Sequence, residues 1–116
     1  MNTRTTSPHV AECMGVKVPP SPYLTEKRIE RINAARYEGQ EIAGALHVVG
    51  PEDRVVEMGA GLGIVGAVTQ CNARPAAMVS FEANPNMIPH IEALYALNRI
   101  KSKITLHNKV LLLQVG

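Results

Sequence analysis

Apolar residues recur along this chain with two periods, and the change from one to the other falls near residue 54. Upstream the spacing is helical. Ile29, Ile32 and Arg36, the last able to lay its aliphatic stem along the same stripe, predict a helix over residues 25–37 capped by Ser21 or Thr25. Ile42, Ala45, Leu46 and Val49 stand at i, i+3, i+4 and i+7 and predict a second helix over residues 38–48. Gly50-Pro51 ends it, because glycine accepts a left-handed cap and proline cannot continue a helix. Residues 1–22 are rich in Thr, Ser and Pro, and Pro19-Pro20-Ser21-Pro22 forbids a continuous helix or central strand. We read that stretch as an arm.

Beyond residue 54, short apolar runs alternate with amphipathic stretches. Arg54-Val55-Val56-Glu57-Met58 is a β-branched run ending in a glycine cluster, and Ile64, Ala67, Val68 and Cys71 then mark a helix face. A turn at 72–75 leads to a second strand over 77–82. Ile88, Ile91, Leu94 and Tyr95 carry a further helix. Pro89 has no N–H, so a cap at Asn86, which places it in the first turn, is favoured over one at Asn84. A third strand is expected at 104–107, followed by an apolar stretch at 110–115. Strands and helices in this alternation imply right-handed crossovers and a parallel sheet. The expected fold is α/β. Residues 51–116 form the β-α-β-α-β half of a doubly wound sheet, behind a helical segment at 23–50 and the arm at 1–22.

Composition narrows the function. With 116 residues there is room for one domain, and 46% apolar against 19% charged residues is an ordinary globular balance. Three Tyr, one Phe and no Trp leave too few rings for a single-stranded nucleic-acid platform, and a net charge of +2 calls for no polyanionic partner. Nucleic acid and membrane are therefore not expected partners. Cys13 and Cys71 lie far apart without CxxC spacing, and His9, His47, His90 and His107 show no ligand spacing, so no metal site is expected. No signal-like or membrane-length apolar run is visible, and reduced thiols suit the cytoplasm.

The chemistry lies at Glu57-Met58-Gly59-Ala60-Gly61-Leu62-Gly63. Glycines between a strand end and a helix start let backbone approach a ligand, and the free N–H groups of the helix terminus can bind it. Two cofactor classes fit. Gly61-Leu62-Gly63-Ile64-Val65-Gly66 matches the dinucleotide pattern GxGxxG, with Glu82 19 residues beyond Gly63 as a ribose-binding acid. Glu57, Gly59, Gly61 and Gly63 also fit E/D-x-G-x-G-x-G, the S-adenosylmethionine pattern. Charge separates the two. A pyrophosphate gains nothing from a carboxylate at the strand tip, whereas Glu57 would attract the ammonium and sulfonium of S-adenosylmethionine. Glu82 can accept from both ribose hydroxyls in either case.

Tyr37-Glu38, Glu41, the run from Asp53 to Gly63, Phe81-Glu82-Ala83-Asn84-Pro85 and the run from Ile104 to Val110 together resemble the start of an FkbM-type methyltransferase. The similarity spans about residues 37–110. It implies a Rossmann-like class I methyltransferase fold, with methyl transfer from S-adenosylmethionine, usually to oxygen. It places cofactor contacts on Glu57, Gly59, Gly61, Gly63 and Glu82. Ala83 stands where the family commonly has Pro. The family's fourth strand and acceptor-binding parts have no counterpart here, so no catalytic residue is carried over.

The function expected is thus the cofactor-binding portion of a methyltransferase acting on a small-molecule acceptor of unspecified identity. The alternatives are a non-catalytic, truncated Rossmann-like binding module and an NAD(P)-binding protein. The outer edge of the strand at Arg54–Met58 is expected to lack a partner and to favour self-association.

Overall fold

The structure is a computed structural model and describes residues 9–110. Most of the apolar stretch at 110–115 lies outside the described residues. Within the segment read as an arm, residues 11–18 form an antiparallel hairpin, β1 (Ala11–Cys13) paired with β2 (Val16–Val18). Its turn is Met14-Gly15, both at positive φ (47° and 82°), the geometry that matches strand twist in two-residue hairpins. Alternation is strict: Ala11, Cys13, Val16 and Val18 are buried, while Glu12 and Lys17 face out opposite each other.

Three-residue strands are too short to persist alone. Asparagines from three helices hold the hairpin. Asn33 Oδ1 accepts from Glu12 N at 2.8 Å, and Asn72 Nδ2 donates to Met14 O at 3.0 Å. Asn98 bonds both Lys17 N and Lys17 O, at 2.8 and 2.7 Å, as a neighbouring strand would.

Helix α1 (Glu26–Asn33) starts where expected, with Thr25 Oγ1 accepting from Arg28 N at 3.2 Å. It stops four residues early. Ala35 takes φ 58°, and Arg36 N and Tyr37 N both turn back to Arg31 O. Helix α2 (Gly39–Val48) follows from Glu38, itself left-handed at φ 51°.

Strands β3 (Arg54–Met58), β4 (Ala77–Phe81) and β5 (Thr105–His107) form a parallel sheet in the order β3-β4-β5. Helices α3 (Ile64–Ala73) and α4 (Ile88–Leu97) make the crossovers. The cap of α4 is Met87, one residue later than expected, and Pro89 still lies in the first turn, where no donor is needed. Asn84 prepares that start: its Oδ1 accepts from Asn86 N, and its carbonyl accepts from Met87 N, both at 3.0 Å.

The core lies between one face of the sheet and the helices. Met78 and Ser80 from β4 and Ile104, just before β5, meet Ile64, Val68, Ile91, Leu94 and Tyr95, all at or below 3% exposure. The hairpin lies over the helices, β1 against α1 and β2 against α3 and α4. The opposite sheet face is uncovered among the described residues: Val56 is 61% exposed and Met58 66%. No helix among the described residues is long and apolar enough to cross a membrane.

Candidate cofactor-binding site

The site begins where β3 ends. Gly59 N and Ala60 N both donate to Phe81 O, at 2.8 and 3.0 Å, so the glycine loop folds across the tip of β4. Gly59, Gly61 and Gly63 all have φ between 60° and 85°, a region that costs other residues strain. Gly63 is constrained further, because a Cβ there would lie 3.1 Å from Ile91 Cγ2. The alternate glycines therefore follow from the backbone path and are not merely permitted by it.

Glu57 turns beneath this loop. In the sheet register it stands opposite Ser80, whose Oγ donates to Glu57 Oε1 at 2.8 Å. Its carboxyl lies against Gly66 in the first turn of α3, where a Cβ would come within 2.6 Å of Oε1. The Gly66 N–H, without an intrahelical partner in that first turn, donates to the carboxyl. Loss of water pushes the acid up to about 7, with the charge of Glu82 adding to the rise and the Ser80 and Gly66 donors opposing it. Near neutral pH this carboxyl exists in both forms.

Glu82 makes a different arrangement. Oε1 accepts from Gly61 N at 2.7 Å and Oε2 from Asn84 N at 3.0 Å, so the carboxylate ties the glycine loop to the end of β4. Each oxygen retains a free lone pair. Asn108 steadies the same tip, its Nδ2 donating to Glu82 O at 2.8 Å and Ala83 O at 3.1 Å.

A crevice of about 250 Å³ opens beside the loop, walled by Glu57, Gly59 and Gly61 and, from the start of α2, by Tyr37, Glu38 and Glu41. Gly63 is buried behind the loop, and Glu82 is not on the wall. The role of Tyr37, Glu38 and Glu41 as a wall was not drawn from the sequence, although all three belong to the family resemblance. Glu38 and Glu41 form an acid pair. Burial, a hydrogen bond to Glu41 and the Glu41 charge raise the Glu38 carboxyl above its ordinary range. A larger opening of about 690 Å³ lies at the far end of the strands, beside Arg74 and Lys103. Open parallel sheets bind ligands outside the carboxyl ends of their strands, which is the glycine end.

No protein-family model and no curated protein matches the chain. Solved structures do match it. The Pyrococcus horikoshii protein PH0793, provisionally assigned as a transferase, superposes with a TM-score of 0.62 at 16% identity over 85% of this chain and 35% of its own. TYW2 of the same organism, solved in complex with MeSAdo, gives 0.62 at 16% identity over 83% of this chain and 33% of its own. A dimethyladenosine transferase from Plasmodium falciparum gives 0.52 at 16% identity over 66% and 26%. Over that share the chain has the Rossmann-like α/β fold of these structures. It spans about a third, or less, of the length of these structures. At the level of fold, the expectation of a half sheet agrees with them.

Proposed function

We propose that the glycine crevice binds S-adenosylmethionine and that the chain is the cofactor-binding portion of an S-adenosylmethionine-dependent methyltransferase. One observation carries this reading: the Glu57 carboxyl already occupies the first turn of α3, the place where a dinucleotide would set its pyrophosphate. A phosphate brought there would meet Glu57 and, across the crevice, Glu38 and Glu41. A cationic ligand would meet attraction from the same groups. The fold shared with TYW2 bound to MeSAdo, and with a dimethyladenosine transferase, supports the same class.

When bound, the sulfonium supplies the electrophilic methyl group. The residues of this chain bind and orient. Glu57 faces the ammonium of the methionine end, Glu82 offers its remaining lone pairs to the ribose hydroxyls, and the glycine loop admits the ligand close to backbone. The FkbM-type resemblance supports oxygen as the methyl acceptor.

Differential protection from heat tests the reading. S-adenosylmethionine or S-adenosylhomocysteine is expected to raise the melting temperature more than NAD does. A shift with NAD and none with either methionine cofactor would sink it. A second reading, a non-catalytic module that associates with another copy of itself, is favoured by the outer edge of β3 and the exposed Val56 and Met58. A stable monomer in sedimentation at tens of micromolar, as an order of magnitude for such contacts, would contradict that association.

A further inference from the structure

Behind Glu57 lies a second polar group that the crevice does not expose. Ser80 is 0% exposed in the middle of an otherwise apolar strand, Ala77–Phe81, and its hydroxyl is spent on Glu57 Oε1. Behind it stands Tyr95 of α4, 1% exposed. The Tyr95 hydroxyl is buried with no hydrogen-bond partner, and Ser80 stands near it. Burial first, and then the Glu57 charge, push the phenol upward. A phenylalanine would fill the same space without stranding a hydroxyl, which carries a desolvation cost. The space taken by the carboxyl is likewise kept clear by Gly66. Two elements, β4 and α3, thus each make a local concession to one carboxyl, and α4 places a second hydroxyl behind the first.

We propose that Ser80 and Tyr95 are positioning residues, a file of hydroxyls beneath the glycine loop that holds the Glu57 carboxyl against the first turn of α3 and sets its ionisation. The Ser80 O–H donates to Glu57, which leaves the lone pairs of Ser80 Oγ as the nearby acceptor for the otherwise unpartnered Tyr95 O–H. The Ser80 donor stabilises the ionised Glu57 carboxylate, and a proton offered to Ser80 Oγ from behind strengthens that donor. The other groups acting on Glu57 are the Gly66 N–H of α3 and Glu82 at the tip of β4, while Tyr37, Glu38 and Glu41 line the same crevice. The Glu82 charge opposes ionisation, as does burial, so the hydroxyls work against both. The consequence for ligand affinity rests on the proposed cofactor. Affinity for an ammonium-bearing ligand rises with pH as Glu57 ionises, through about 7.

Titrating the side-chain carboxyl of Glu57 by carbon NMR in the full chain, with no ligand, tests the positioning role directly. Ser80→Ala is expected to move the midpoint upward by about one pH unit, a tenfold change in proton affinity. Tyr95→Phe, which preserves shape, should move it upward by less. Midpoints unchanged in both variants would overturn the proposal. Calorimetry with S-adenosylhomocysteine at pH 6 and pH 8 is the second arm. The wild-type chain is expected to bind roughly tenfold more tightly at pH 8, following the ionised fraction about a midpoint near 7, and Glu57→Gln to show no such rise. S-adenosylhomocysteine that binds at neither pH would overturn the cofactor reading, while the titration would still decide the role of Ser80 and Tyr95.

Discussion

The two faces of the three-stranded sheet are made from alternate residues of the same strands, and they differ in what covers them. On one face Met78 is 3% exposed and Ser80 0%, under α3 and α4. On the other, Val56 and Met58 are more than half exposed, and Phe81 stacks on His107 with ring centroids 5.2 Å apart. The open face is no less apolar than the covered one. What the covered face adds is chemistry. Glu57 and Ser80 point that way, and exclusion of water there raises the carboxyl's proton affinity and makes a single hydroxyl count. A polar group on the open face would keep its ordinary properties.

Substitution can break or sharpen this contrast. The largest effect is expected from Ile91→Ala. Ile91 is 0% exposed and backs Gly63, so removing it from the covered side should cost about 2–5 kcal/mol in denaturant unfolding. A loss below about 1 kcal/mol would show that this face is not the stabilising one.

Glu82→Ala, at the end of β4 where the carboxylate ties down the glycine loop, should weaken S-adenosylhomocysteine binding by at least roughly tenfold in calorimetry. Part of that loss would come from the glycine loop, which loses the carboxylate bonded to Gly61 N. Unchanged affinity would remove Glu82 from the site.

The smallest effect is expected on the open face. Met58→Ser should change the stability of the dilute chain by less than about 0.5 kcal/mol, and should shift sedimentation toward monomer where copies associate through this face. A large loss of stability in dilute solution would mean that the open face is not free.

Local pattern and the fold's own logic made much of this molecule legible. The period changed where β3 begins, α2 ended just before Gly50-Pro51 although its cap is the extended Val49 and not a left-handed glycine, and Pro89 lay in the first turn of α4. The alternate glycines of the loop were legible too, because positive φ is a property of single residues. The hairpin at residues 11–18 was missed. Its alternation, Ala11-Glu12-Cys13 and Val16-Lys17-Val18 around Met14-Gly15, is present in the chain but too short to outweigh the proline-rich stretch that follows. What makes it a hairpin is distant: Asn33, Asn72 and Asn98, from three helices, bond its backbone.

The site divides in the same way. That Glu57 and Glu82 lie near a glycine turn could be read from spacing alone. That Glu57 faces inward onto Ser80 and Gly66, while Glu82 binds the loop backbone, could not. The same holds for Tyr37, Glu38 and Glu41, carried to the crevice by left-handed turns at Ala35 and Glu38. The sequence by itself determined which residue types could take the tight backbone path of a cofactor loop. Only the tertiary structure decided which carboxyl lost its water, because desolvation depends on neighbours that packing brings from elsewhere in the chain.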